Sequence, residues 1–194
     1  MFGPYDDMAS NLIEISPDGL ETLLKRAEQV KMLLLDVDGV LTPGTIVYTD
    51  NGKQILSFHA QDGMGMKLMM QAGIQVAVLS SRSSAALEKR LSELGIESSF
   101  LGVEDKLSMY KKLLEETGLK DEQVAYIGDD WVDLPILKKV GLAVAVSNAA
   151  KPVKDHAHYI TRCPGGQGAV REVCDLILRL QGRWDELLKT YLES

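Results

Sequence analysis

The sequence predicts an α/β fold: a single Rossmann-like domain with a parallel sheet and a β-hairpin inserted after the first strand. Three observations predict it. Short apolar runs alternate with amphipathic stretches along the chain. Those runs are nearly continuous in Val, Leu and Ile, as strands buried on both faces require. Glycine follows several of the amphipathic stretches, at the position where a helix stops.

The strands expected in order are Met32–Leu35, Val76–Leu79, Val124–Ile127 and Leu142–Val146, with shorter ones at Ser99–Leu101 and Tyr159–Thr161. Between them, Met64–Gln71 reads as a helix ending at Gly73, Ser84–Leu94 as one ending at Gly95, and Asp133–Val140 as one ending at Gly141. Lys106–Thr117 puts Leu107, Tyr110, Leu113 and Leu114 on one face and stops at Gly118. Val170–Leu180 is a further helix. One segment breaks the alternation. Residues 45–58 read as two strands around Asp50-Asn51-Gly52, where Gly52 supplies the positive φ of a tight hairpin. At the amino end, Ser16-Pro17-Asp18 reads as a helix cap followed by Leu20–Ala27. Trp184–Leu192 reads as a terminal helix. The expected organisation is a helical extension over 1–30, a main α/β domain over 31–182 with the hairpin at 45–58, and a helical tail over 183–194.

At 194 residues the chain has room for one domain with a real core. Lys and Arg number 21 against 28 Asp and Glu, a formal net charge of −7, so a nucleic-acid partner is not expected. No apolar run reaches the ~18–20 residues a membrane helix needs. The opening residues MFGPYDDMAS carry neither a basic start nor an apolar stretch, which argues against a secretory signal. The two cysteines, Cys163 and Cys174, read as reduced thiols of a cytoplasmic protein.

The first strand runs into Asp36-Val37-Asp38-Gly39. Two carboxylates then stand at the carboxyl end of a buried strand, the edge where open α/β sheets bind ligands. Unpaired, they would repel; a divalent cation removes the repulsion. An Asp-x-Asp alone also occurs in turns, calcium loops and sugar-nucleotide transferases. A second acidic group, Gly128-Asp129-Asp130-Trp131-Val132-Asp133, follows another buried strand and falls on the same sheet edge. Acids at a helix start account for Asp133 well and for Asp129 and Asp130 poorly. Hard oxygen ligands with no Cys or His nearby suit Mg²⁺. Between the clusters, Ser80-Ser81-Arg82 ends a strand with hydroxyls that serve either an anion or a helix cap. Lys106 sits in a first helical turn, against the macrodipole, which hints at another use such as a phosphate oxygen.

The order apolar strand–Asp-x-Asp-Gly, apolar strand–Ser, Lys at a helix start, apolar strand–Gly-Asp-Asp-x-x-Asp resembles the haloacid dehalogenase superfamily, cap-less type. The resemblance narrows through Asp36–Thr42, the hairpin, Phe58–Gly63, Val124–Asp130 and Gly165–Glu172 to the family of 3-deoxy-D-manno-octulosonate 8-phosphate phosphatases, which serve lipopolysaccharide precursor synthesis. It covers about residues 31–182. It implies that Asp36 is the nucleophile and forms an aspartyl-phosphate, and that Asp38 is the general acid and then the base. It implies Mg²⁺ on Asp36, the Asp38 carbonyl and Asp129, with Asp130 and Asp133 in support. Ser80 and Lys106 would bind phosphoryl oxygens, and His59, Ala60, Gln61, Asp62, Gly63, Lys67, Arg82 and Arg90 would face the sugar acid.

Cap-less relatives form tetramers in which neighbouring hairpins and carboxyl tails close each site. Ile46, Val47, Tyr48, Ile55 and Leu56 would make this hairpin sticky if left alone, which fits such an assembly; packing on its own domain is the alternative. Ser80 stands where relatives often have Thr. Gln61 and Gln167 stand where basic residues are common, which opens a nonulosonate 9-phosphate as a second substrate class. Two other classes compete: a non-catalytic assembly domain with this fold, and an Asp-x-Asp glycosyltransferase, which does not account for Lys106 or Gly128-Asp129-Asp130.

Overall fold

The computed structural model describes residues 17–193, so Ser16 of the expected cap and the rest of 1–16 lie outside the described residues. In chain order the elements are α1 (Pro17–Glu28), β1 (Met32–Leu35), β2 (Val47–Tyr48), β3 (Gln54–Ile55), α2 (Ala60–Gln71), β4 (Gln75–Leu79), α3 (Ala85–Leu94), β5 (Ser98–Phe100), α4 (Lys106–Thr117), β6 (Val124–Gly128), α5 (Leu134–Leu137), β7 (Leu142–Ala145), α6 (Lys151–Lys154), β8 (Tyr159–Ile160), α7 (Ala169–Leu180) and α8 (Trp184–Glu193).

Six strands pair in the order β5-β4-β1-β6-β7-β8, every neighbour parallel. β1 lies inside the sheet, with Leu35 opposite Val78 on one side and Ile127 on the other. The chain moves outward from β1 through β4 and β5, then returns to β6 and moves outward the other way. That reversal opens a crevice at the carboxyl ends of β1 and β6, the place where doubly wound sheets bind ligands. The strands are short and almost wholly buried: all of Met32–Leu35, Val124–Gly128 and Leu142–Ala145. Right-handed crossovers put α2 and α3 on one face and α4 and α5 on the other. α7 packs against both α1 and α2, burying Val170, Val173, Cys174 and Ile177.

Differences from expectation have local causes. α2 starts at Ala60, not Met64, with His59 extended before it. The stretch expected as one helix over Asp133–Val140 divides into a 3₁₀ turn, Trp131–Asp133, and the single turn α5, with Pro135 in its first positions. α6 was not expected; Pro152 opens it. The hairpin strands are only β2 and β3, which among the described residues pair with each other and with no other strand. Among the described residues no helix is long and apolar enough to cross a membrane.

Candidate active site

The acids converge where β1 and β6 end. Asp36 follows β1 directly, its own N–H still donating to the Ile127 carbonyl of the neighbouring strand. The chain then folds tightly: the N–H groups of Val40, Leu41 and Thr42 all donate to the Val37 carbonyl. Gly39 takes φ +84° there, and its bare Cα leaves room for the Asp129 carboxylate, which a Cβ would overlap. The other wall of this loop is the Gly-rich segment before α7. A Cβ at Gly165 would overlap the Gly39 carbonyl, and the Gly166 N–H donates to the Val40 carbonyl at 2.8 Å. Asn148 fixes that segment by accepting from the Gly165 N–H at 2.9 Å.

Asp36 is buried; one carboxylate oxygen accepts from the Val37 N–H at 2.7 Å and the other meets Lys106 Nζ at 2.8 Å. Burial, then repulsion by Asp133, pushes its pKa up to about 6, against the pull of Lys106. Asp129 carries neither a side-chain hydrogen bond nor an ion pair; burial first, then Asp133 and Asp36, pushes it to about 7. Lys106, first residue of α4 and 4% exposed, spans Asp36 and Asp133, each at 2.8 Å. Burial alone would lower its pKa, but those two carboxylates override it and leave it raised. Ser80 is buried at the end of β4, its Oγ accepting from the Arg82 N–H at 3.1 Å, so its hydroxyl proton is free for an anion. Asp38 is half-buried, 3.5 Å from Arg82 Nε.

One carboxylate oxygen from each of Asp36, Asp129 and Asp133 lies within 4.8 Å of the others. Asp133 is nonetheless saturated. Its oxygens accept from Lys106 Nζ, the Tyr126 hydroxyl and the N–H groups of Asp129 and Asp130. The oxygens left for a metal are those of Asp36 and Asp129, with the Asp38 carbonyl beside them in sequence. Two carboxylates with raised pKa values, one of them unpaired, fit a hard divalent cation such as Mg²⁺. Asp130 is exposed and caps the 3₁₀ turn by accepting from the Trp131 N–H.

The residues expected at the sugar end divide. His59 stands at the amino end of α2, its Nδ1 buried without a hydrogen-bond partner. His59, Gly63 and Arg90 line one narrow cleft with Leu41 and Phe58. Ala60, Gln61, Lys67 and Arg82 are exposed. Asp62 is buried and committed elsewhere: it accepts from the N–H groups of Gly168 and Arg171, tying α2 to the start of α7. Two contributors had no role in the sequence reading. One is Tyr126, a tyrosine in an otherwise aliphatic strand; the other is Asn148, for which nothing local gave a signal.

A doubly wound sheet that gathers Asp36, Lys106, Asp129 and Asp133 at its switch point defines a haloacid dehalogenase-like hydrolase, and the family model of that description matches residues 102–172. The 3-deoxy-D-manno-octulosonate 8-phosphate phosphatase KdsC of Escherichia coli (strain K12) is 43% identical over 164 residues, covering 84% of this chain and 87% of the relative. The solved structure of that phosphatase from Moraxella catarrhalis, in complex with magnesium ion, phosphate ion and KDO, is 37% identical with a TM-score of 0.86, covering 89% of this chain and 99% of that one. Its counterpart from Yersinia pestis is 42% identical with a TM-score of 0.83, over 85% and 89% of the two chains. The chain belongs to the 3-deoxy-D-manno-octulosonate 8-phosphate phosphatase family.

Proposed function

We propose that the chain is a phosphomonoesterase that hydrolyses 3-deoxy-D-manno-octulosonate 8-phosphate, a lipopolysaccharide precursor, with Mg²⁺ as cofactor. The observation that carries the reading is the Asp36–Lys106–Asp133 bridge beside the unpaired Asp129 carboxylate. An Asp36 oxygen attacks phosphorus while the bond from phosphorus to the sugar oxygen breaks, and Asp38 gives that oxygen its proton. Asp38 then takes a proton from water; the water oxygen bonds to phosphorus and the bond to Asp36 breaks, releasing phosphate. Lys106 and the Ser80 hydroxyl face the charge that spreads over the phosphoryl oxygens. Asp36, Asp129 and the Asp38 carbonyl would hold Mg²⁺, which when bound would offset the repulsion between carboxylate and phosphate.

His59 to Gly63, Lys67, Arg82 and Arg90 form the sugar-acid end. Asp62 acts there through the loop it anchors, and the cations answer a substrate carrying carboxylate and phosphate. A homotetramer completes the site. Ile46, Val47, Tyr48 and Ile55 are exposed on a hairpin whose strands, among the described residues, pair only with each other, which supports burial between subunits. The free thiols support a cytoplasmic location. Residues 31–182 are the catalytic domain, flanked by the extensions.

Phosphate release from the octulosonate 8-phosphate, a nonulosonate 9-phosphate and simple sugar phosphates tests the reading. The octulosonate is turned over fastest, and EDTA stops the reaction. Chelation without effect would remove the metal; preference for the nonulosonate would replace the substrate.

A further inference from the structure

β6 is apolar and buried except for one hydroxyl. Val124, Ala125 and Ile127 are wholly buried aliphatics, and Tyr126 is wholly buried among them. Its phenol donates to Asp133 Oδ1 at 2.6 Å. Burial, with Asp133 adjacent, pushes the phenol well above its ordinary range, so it remains a donor.

The same Asp133 oxygen accepts from Lys106 Nζ at 2.8 Å, and Lys106 also reaches Asp36 at 2.8 Å. Asp133 is 0% exposed, so water does not replace a lost donor. Two of its four donors are backbone N–H groups, of Asp129 and Asp130, fixed by the turn after β6. The other two are Tyr126 and Lys106. Only Lys106 hangs on a flexible chain.

We propose that Tyr126 is a positioning residue: by sharing Asp133 with Lys106, it sets how much of the ammonium group faces Asp36 and the phosphoryl oxygens. Without the phenol, Asp133 draws Lys106 toward itself and away from the reacting group. The inference rests on the functional reading above, in which Lys106 stabilises the transferring phosphoryl.

Tyr126→Phe keeps the ring and removes only the donor. Three quantities are read: kcat and KM with the octulosonate phosphate, inorganic phosphate affinity by calorimetry with Mg²⁺ present, and the same rates in an Asp133→Asn background. Expected is a roughly ten- to hundredfold fall in kcat/KM, as for other groups that orient a reacting residue. Phosphate binding weakens in parallel. With Asp133→Asn already present, Tyr126→Phe costs little more, because the oxygen through which it acts has changed. Equal losses in both backgrounds, or a Tyr126→Phe enzyme at the wild-type rate, would overturn the inference and leave the phosphatase reading intact. A wild-type chain with no Mg²⁺-dependent phosphate release would overturn both. If Tyr126→Phe does not fold, 3-fluorotyrosine at 126 keeps the shape and donates more strongly; phosphate affinity then rises, and unchanged affinity counts against the role.

Discussion

The carboxyl ends of β1 and β6 and the β2–β3 hairpin that follows β1 in the chain differ in nearly every physical respect. At the strand ends, the buried Asp133 and Lys106 each have several partners: Asp133 accepts from four donors and Lys106 bridges two acids. In the hairpin, Ile46, Val47, Tyr48 and Ile55 are exposed, Tyr48 by 62%, while Leu56 packs partly against the core. The first region is over-determined by its own chain. The second is less determined: among the described residues β2 and β3 pair only with each other, around the turn at Gly52. The chemistry is thus fixed by the chain's own buried contacts, while the proposed enclosure of the substrate rests on an exposed apolar surface.

Changing the over-determined region gives the largest effect. Asp36→Asn removes the nucleophile and should lower kcat by roughly a thousandfold or more. Stability moves the other way. The raised pKa of Asp36 means that its charge opposes folding at neutral pH. Without Mg²⁺ at pH 7, thermal melting of Asp36→Asn should therefore lie at or above wild type. An inactive variant that melts well below wild type would mean that Asp36 is structural.

Changing the hairpin tests the other half of the contrast. Tyr48→Lys with Ile55→Lys places charge on its exposed apolar face and touches none of the acids. Light scattering should show dissociation toward single chains. kcat/KM should fall roughly ten- to hundredfold as the substrate loses enclosure. An unchanged assembly would assign the hairpin to its own subunit; dissociation at full activity would make the enclosure unnecessary.

Legibility in the sequence follows the same divide. β1 and β6 were readable because both faces of each are buried, which demands unbroken apolar runs that end sharply at acids. Asp36, Asp38, Asp129 and Asp130 were placed on one edge by the parallel sheet alone, whereas Lys106 gave only the hint of a cation set against the macrodipole. What escaped depends on partners distant in the chain. Asp62 reads as a polar residue beside a site, yet its acceptors' donors, Gly168 and Arg171, belong to the far end of the domain. The early start of α2 escaped because Gly63 and Gly65 weaken the local helical signal. Asp133 was expected to open a long helix, but its carboxylate is held back by the N–H groups of Asp129 and Asp130, and the chain turns through 3₁₀ geometry instead.

The smallest effect comes from protons at the over-determined end. Asp36 and Asp129 have folded pKa values raised to about 6 and about 7, above their unfolded value near 3.8. Between pH 4 and 7 the metal-free fold therefore binds more protons than the unfolded chain, and stability falls as pH rises through that window. Mg²⁺ binds the ionised acids, so its stabilisation grows over the same range. Melting curves at pH 5, 6, 7 and 8, with EDTA and with Mg²⁺, should show the Mg²⁺ increment rising with pH. Partial exposure lets water screen Asp129, so its share is about 1 kcal/mol, or roughly 2–4 °C in a chain of this size. Asp129→Asn should flatten the increment while the hairpin variant leaves it intact. An increment independent of pH in the wild type would mean that the cation does not sit between these two acids.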